Sequence, residues 1–245
     1  MSQSWPVIWH DTLDSTNEEA RRQAADGQFS DGWIAARLQT AGRGRLGRGW
    51  ASPSGNLFAT ALFHEPGGLD VATRIPFAAA LSVHDGLSAF APEAPIVLKW
   101  PNDVRAAGAK LCGILVESGQ ADGAVWVATG IGINVARVPE GAGQTATCLA
   151  DLRGEASVTA DMVLESMREA FARRLDQART DFATTRADWL ARAEGVGGPV
   201  RVLVGDTPVE GVFETLAEDG GLVITMADGG QRVIRAGDVE LIRRS

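Results

Sequence analysis

The stretch "QTAGRGRLGRGWASPSGN", Gln39 to Asn56, decides how this chain is read. It contains a literal G-x-G-x-x-G at Gly42, Gly44 and Gly47, the pattern of a dinucleotide-binding turn. Arg43, Arg45 and Arg48 sit between and beside these glycines. A dinucleotide-binding turn requires a helix that opens at the glycines. Here "GWASPSGN" follows, with two more glycines and a proline, which makes a turn and not a helix start. Arginines inside such a turn would also crowd the close approach of backbone to a pyrophosphate. An unspecific nucleic-acid loop fits poorly with a chain whose formal net charge is −8. The third reading takes the residues at face value. Glycines fold the backbone around a small anionic ligand and turn N–H groups inward, while arginines supply bidentate donors for phosphate oxygens. When empty, such a loop holds mutually repelling arginines with little to pack against, so it is expected to be mobile until a ligand orders it.

The flanks of the loop read as regular structure. "DSTNEEARRQAADG" predicts a helix, with Ser15 and Glu18 as a capping box and Gly27 as the stop. A strand over Gly32 to Gly42 runs into the loop, and a strand over Asn56 to His64 leaves it. "TRIPFAAALSVHDGLSAF" predicts a helix with Ile75, Ala79 and Val83 on one face. Strands are expected at Pro95–Trp100, Lys110–Ser118 and Ala124–Val135. Thr159 to about Arg192 predicts one helical stretch, with Val163, Met167, Phe171 and Leu175 as its core stripe. After "GVGGP", four short runs ("VRVLV", "VEGVFETLA", "LVITM", "QRVIRA") alternate with turn residues and predict a small β-barrel. Strands in series with helices gathered elsewhere favour an α+β fold with a mixed or antiparallel sheet. The expected division is a catalytic unit over residues 1–195 and a small β unit over 196–245.

Composition narrows the function classes. No apolar run reaches the length of a membrane span, and the N-terminus lacks the basic-then-apolar pattern of a secretion signal. Cys112 and Cys148 form no C-x-x-C pair, so a reducing cytoplasm is the expected setting. His10, His64 and His84 show no metal-ligand spacing. The basic residues are nearly all arginine; lysine occurs only at Lys99 and Lys110. Two lysines that survive such a bias are candidates for chemistry that needs a compact, movable ammonium.

Four further stretches converge on the same chemistry. "LKWPND" ends a strand at Pro101 and presents Asn102 and Asp103 at a sheet edge, though an Asx turn alone would give the same letters. "KLCGILVES" opens a strand with Lys110 and interrupts it with Gly113, where a ligand can approach the backbone. "GIGINV" places Gly130, Gly132 and Asn134 near a strand end, and "DSTN" opens the first helix. Taken in order with the glycine–arginine loop, these motifs resemble the biotin protein ligases, over nearly the whole chain.

That resemblance implies a class II aminoacyl-tRNA synthetase-like catalytic fold with an SH3-like C-terminal domain. It implies an enzyme that makes biotinyl-5′-adenylate from biotin and ATP with Mg²⁺, then passes biotin to one lysine of a biotin carboxyl carrier domain. Ser15, Thr16, Asn17 and Gln39 correspond to biotin contacts. Gly42, Arg43, Gly44 and Arg45 correspond to the loop wrapped over biotin and the adenylate phosphate. Lys110 corresponds to the lysine at the biotin carboxylate and is the first candidate for catalysis, with Arg43 and Arg45. Gly113 and Gly130 would line the biotin pocket. Arg48, Trp50, Asp103 and Asn134 correspond to the nucleotide side, Asp103 and Asn134 also to a Mg²⁺ contact, and Trp50 to an apolar lid. Lys99 and Asn102 are expected to support these.

Two positions depart from the family pattern. Leu46 stands where another arginine is usual, and Cys112, read as a packed thiol, stands where a small apolar residue is usual. "STN" begins at Ser15, so the form without an N-terminal DNA-binding domain is expected, with no nucleic-acid or membrane partner. A homodimer through the sheet is a habit of the family. Two alternatives stay open: a lipoate or octanoate ligase of the same superfamily, and a binding protein that retains the pocket without turnover.

Overall fold

Odd and even residues of the central strands point to opposite sides of one sheet, and each side carries its own helices. The computed structural model describes residues 5–27, 29–121, 123–140, 145–153, 158–205 and 207–242. The sheet has seven strands: β1 (Val7–Leu13), β2 (Gly32–Gln39), β3 (Leu57–His64), β4 (Ile96–Lys99), β5 (Asp103–Ala106), β6 (Ala109–Ala121) and β7 (Ala124–Ile133). Their order is β1-β2-β3-β7-β6-β5-β4. β1 runs parallel to β2 and the other neighbours pair antiparallel, so the sheet is mixed.

Six helices accompany it: α1 (Thr16–Ala25), α2 (Gly68–Ala72), α3 (Ile75–Ser88), α4 (Leu149–Arg153), α5 (Ala160–Thr180) and α6 (Phe182–Leu190). Trp33, Ala35, Phe63, Val127 and Ile131 pack on one face against Val83 of α3 and Phe171 of α5. The stripe Val163, Met167, Phe171 and Leu175 is buried there, as its helical spacing predicts. The opposite face receives α1, whose Ala20 and Ala24 lie on Ile34, Leu62 and Ala128. Thr60 of β3 turns toward this face, where it bonds to α1. By the two-residue period, Gly130 and Gly132 share it with Ala128. Gly113 of β6 pairs with Gly132 and Leu115 with Gly130. The α1 side of β6 and β7 therefore carries glycine at 113, 130 and 132, with the Leu115 side chain beside Gly130.

Several expectations are corrected. β1 and β5 are strands that the sequence reading leaves out, and the strand leading into the loop ends at Gln39, not Gly42. The long helical stretch is two helices, because Asp181 leaves helical geometry and caps α6, accepting from the Thr184 N–H at 3.0 Å. The outer edge of β4 is covered by residues 192–194: Leu98 N–H donates to Arg192 O and Glu194 N–H to Leu98 O, both at 2.8 Å.

The C-terminal unit is a five-stranded antiparallel, SH3-like sheet of β8 (Pro199–Val204), β9 (Thr207–Leu216), β10 (Leu222–Thr225), β11 (Gln231–Ile234) and β12 (Asp238–Leu241), ordered β11-β10-β9-β8-β12. The fifth strand, β12, extends the four expected runs. Val200, Val202, Phe213 and Leu222 belong to the same core as the helices behind the main sheet. Trp100 Nε1 donates to Gly220 O at 3.2 Å and ties the "KWPN" turn to this unit. Among the described residues, no helix is long and apolar enough to cross a membrane.

Candidate active site

The site begins where α1 meets the sheet. Ser15 is the N-cap of α1, but its side chain makes no capping bond, so the expected capping box does not form. Glu18 instead pairs with Arg21 and Arg43. The Thr16 N–H donates to Gln39 Oε1 at 2.8 Å, and Gln39 Nε2 donates to Ser52 Oγ at 3.0 Å. The Thr60 hydroxyl lies 2.9 Å from Thr16 Oγ1 and donates to Asn17 Oδ1 at 2.8 Å. Asn17 Nδ2 donates to Glu117 Oε2 at 2.9 Å. Thr16, Asn17 and Thr60 are buried, so these bonds are strong determinants of side-chain orientation. Gly130 makes the arrangement possible: a Cβ there would lie 1.8 Å from Asn17 Oδ1.

The glycine–arginine loop folds back on itself. Gly44 N–H donates to Arg48 O at 2.7 Å, Trp50 N–H to Gly42 O at 2.8 Å, and Arg43 bridges to Gly49. A Cβ on Gly42 would meet Trp50 O at 2.5 Å, so glycine is required there for close backbone approach. Leu46, the position where arginine is usual, has φ 56° and is 82% exposed.

The arginines are not idle. Arg43 pairs with Glu18 and, at 3.3 Å, with Glu117. Arg45 Nη1 donates to Asn102 Oδ1 at 2.9 Å, and Arg45 and Arg48 lie 3.6 and 3.2 Å from the Asp238 carboxylate of β12. The expectation that repelling arginines have little to pack against is thus corrected, because the fold brings a carboxylate to each of them.

Trp50 lies flat on the glycine surface of β6 and β7. A Cβ on Gly132 would come within 2.6 Å of its indole and one on Gly113 within 2.8 Å. The indole Nε1 is buried and has no hydrogen-bond partner among the described residues. Lys110 Nζ stands 5.4 Å from the Trp50 ring centroid and 2.7 Å from Asp103 Oδ1. Asn102 Nδ2 donates to Ile114 O at 2.7 Å, which fixes the turn before β5. Asn134 is buried, its amide donating to Thr147 O at 3.0 Å and its oxygen 3.5 Å from Asn56 Nδ2. Cys112 is buried in the core, where desolvation pushes its thiol pKa well up, so it is a packed, protonated thiol.

These elements enclose a cavity of about 450 Å³, a size suited to a small-molecule substrate. Ser15, Thr16, Asn17, Gln39, Arg43, Gly44, Arg45, Arg48, Trp50, Lys99, Asn102, Asp103, Lys110, Gly113, Gly130 and Asn134 all line it. Gly42 does not; it sits behind Trp50 and Ser52. Thr60, Glu18, Glu117 and Asp238 are functional partners that sequence reasoning missed. Glu117, within "KLCGILVES", carried a motif signal, and Glu18 was flagged only as half of a capping box. Among the described residues, no group of three His, Cys, Asp or Glu side chains could hold a metal ion.

Residues 9–134 match the Biotin/lipoate A/B protein ligase family, and residues 196–242 match the Biotin protein ligase C terminal domain. A biotin–[acetyl-CoA-carboxylase] ligase of Paracoccus denitrificans is 41% identical over 92% of this chain and 96% of its own length.

The chain belongs to the biotin protein ligase family.

A second ligase of that name, from Mycobacterium tuberculosis, is 35% identical over 94% of this chain and 86% of its own. Among solved structures, the Aquifex aeolicus biotin protein ligase in complex with biotin and ATP superposes with a TM-score of 0.82, at 29% identity, over 98% of this chain and 99% of that one.

Proposed function

We propose that this ligase condenses biotin with ATP to biotinyl-5′-adenylate and pyrophosphate in the cavity between α1, β6, β7 and the arginine loop. It then transfers biotin to one lysine of a biotin carboxyl carrier domain. The observation that carries this reading is the convergence on one cavity of Lys110, three loop arginines and the Ser15–Thr16–Asn17 turn. Joining a carboxylate to an α-phosphate brings two anions together, and preorganised cations lower that barrier. Lys110 is assigned to the biotin carboxylate and the acyl-phosphate oxygens. Arg43, Arg45 and Arg48 are assigned to the phosphate, and they exchange their carboxylate partners for it when substrate enters.

Ser15, Thr16 and Gln39 are assigned to the polar end of biotin. Ser15 presents a hydroxyl that no protein group engages among the described residues, whereas Asn17 is satisfied at both ends and holds the floor. Gly113 lets Trp50, and Gly130 lets Asn17, lie close against the sheet at the wall of the biotin pocket. Trp50 and Gly44 close over the mixed anhydride and keep water from it. Asp103 and Asn134 are assigned to the nucleotide side, with Asp103 facing substrate-borne Mg²⁺. Residues 1–195 form the catalytic unit in this reading and 196–245 the accessory β unit. The setting is the cytoplasm; homodimerisation is the proposed assembly, with neither nucleic acid nor membrane as partner.

Pyrophosphate release tests this directly. Release on addition of biotin, and not of lipoate or octanoate, is the expected result. Release with lipoate instead would place the chain in the other branch of the superfamily.

A further inference from the structure

Glu117 of β6 does not line the cavity, but the two groups it holds, Asn17 and Arg43, both do. Its Oε1 accepts from Arg43 Nη2 at 3.3 Å and its Oε2 from Asn17 Nδ2 at 2.9 Å. A carboxylate paired with an arginine can only accept. The Leu115 carbonyl, 3.3 Å from the same Asn17 nitrogen, can also only accept. Together these two acceptors fix which end of the Asn17 amide is nitrogen and which is oxygen.

That orientation carries further. Asn17 Oδ1 takes the one hydroxyl proton of Thr60 at 2.8 Å. The Thr60 oxygen, 2.9 Å from Thr16 Oγ1, is then left as an acceptor. On its other side Thr16 Oγ1 lies 3.2 Å from Gln39 Oε1, an oxygen identified by the Thr16 N–H that donates to it at 2.8 Å. The Thr16 hydroxyl proton therefore has an acceptor on either side, and no other protein donor reaches Thr16 Oγ1 among the described residues. Thr16 lines the cavity, so it offers a ligand oxygen lone pairs and not a proton. Such a wall favours a ligand that brings an N–H and disfavours one that brings oxygen to the same place.

We propose that Glu117 is a positioning residue that sets the hydrogen-bond polarity of this pocket, orienting Asn17, Thr60 and Thr16 so that the wall accepts from a ligand N–H. This rests on the ligase reading above. The ligand group it fits is the cyclic urea of biotin, whose two ring nitrogens each carry a proton. Glu117→Gln keeps the size of the side chain and changes its polarity. Arg43 is a donor only, so glutamine turns its oxygen to Arg43 and its nitrogen to Asn17. Asn17 then reverses and donates to Thr60, and the Thr60 proton turns to Thr16, where it takes up a lone pair otherwise free for the ligand.

The test uses the full chain, with binding measured by calorimetry without ATP and a thermal melt as the check on folding. The probes are biotin and its two cyclic carbamates, in which one or the other ring N–H is replaced by oxygen. The unmodified protein is expected to bind at least one carbamate at least about tenfold more weakly than biotin, the scale of one hydrogen bond lost against an unpaired acceptor. Glu117→Gln is expected to weaken biotin at least about tenfold and to narrow the ratio between biotin and that carbamate. Thr60→Val cuts the relay, and in that background Glu117→Gln is expected to cost no more than about twofold further. A structural role alone would weaken all three ligands alike and add fully to the Thr60 loss, and either result overturns the proposal. Wild-type-like biotin affinity in Glu117→Gln also overturns it, as do carbamates that bind the unmodified protein as tightly as biotin. Failure of the unmodified protein to bind biotin at all is the separate result that overturns the ligase reading, and the proposal falls with it.

Discussion

Lys110 Nζ and Asp103 Oδ1 lie 2.7 Å apart on adjacent strands, both side chains about 15% exposed at the wall of the cavity. The pair holds the ammonium in place before substrate arrives, beside the Trp50 ring. Lys110→Ala removes the cation assigned above to the biotin carboxylate, and adenylate formation is expected to fall by about 10²–10³-fold, as for loss of one preorganised charge-stabilising group. The fold should survive, because neither side chain supports the core. Pyrophosphate–ATP exchange and a thermal melt check the two statements. Wild-type-like exchange would remove Lys110 from the chemistry.

Gly130→Ala tests the floor of the pocket. Its Cβ would lie 1.8 Å from Asn17 Oδ1, so the Asn17 amide must give up its bonds to Thr60 and Glu117. Overpacking of this kind costs about 1–3 kcal/mol. Biotin affinity measured by calorimetry is expected to drop at least about tenfold. Unchanged biotin affinity would show that Asn17 does not shape the pocket.

Arg45 joins the loop to Asn102 at 2.9 Å and to the β12 carboxylate Asp238 at 3.6 Å. Arg45→Gly cuts both ties and loosens the cover over the anhydride. Biotinyl-adenylate is expected to escape and label bystander lysines, seen as diffuse biotin signal on a blot of added carrier-free protein. No rise in such labelling would mean that the loop does not shield the intermediate.

Away from the site, Arg174 of α5 donates to Asp85 of α3 at 2.8 Å and also bonds Asp188 of α6. Burial alone would raise the Asp85 pKa, but the hydrogen bonds and charge of Arg174, with His84 Nδ1 3.8 Å away, outweigh it and bring it down to about 2 from 3.8. A carboxyl with a depressed folded-state pKa adds stability above its unfolded value and loses it as pH falls toward the folded one. Asp85 should therefore contribute about 2 kcal/mol at neutral pH. That contribution should fade between pH 4 and 2. Chemical denaturation of Asp85→Asn across this range is expected to show a deficit at pH 7 that closes near pH 2. A deficit independent of pH would point to packing alone.

Much of the site was legible because its motifs are local. Each glycine or lysine was flagged by its chain neighbours, and the strand period then placed Gly113, Gly130 and Gly132 on one face. The partners were not legible, because their contacts cross long stretches of chain. Arg43 meets Glu117 across 74 residues, and Arg48 meets Asp238 across 190. The capping box failed for the same reason: Glu18 satisfies the local pattern, but Arg43 is a stronger partner for it than a backbone N–H. β5 and β12 were missed because four residues of "DVRA" or "DVEL" carry too short an alternation to distinguish a strand from a turn.

The most direct measurement is mass spectrometry of a biotin carboxyl carrier domain incubated with this protein, biotin and MgATP. One biotinyl group on one lysine is expected with the unmodified enzyme, and none when ATP is omitted or Lys110 is replaced by alanine. A carrier domain left unmodified by the unmodified enzyme, or modified equally without ATP, would contradict an adenylate-forming ligase.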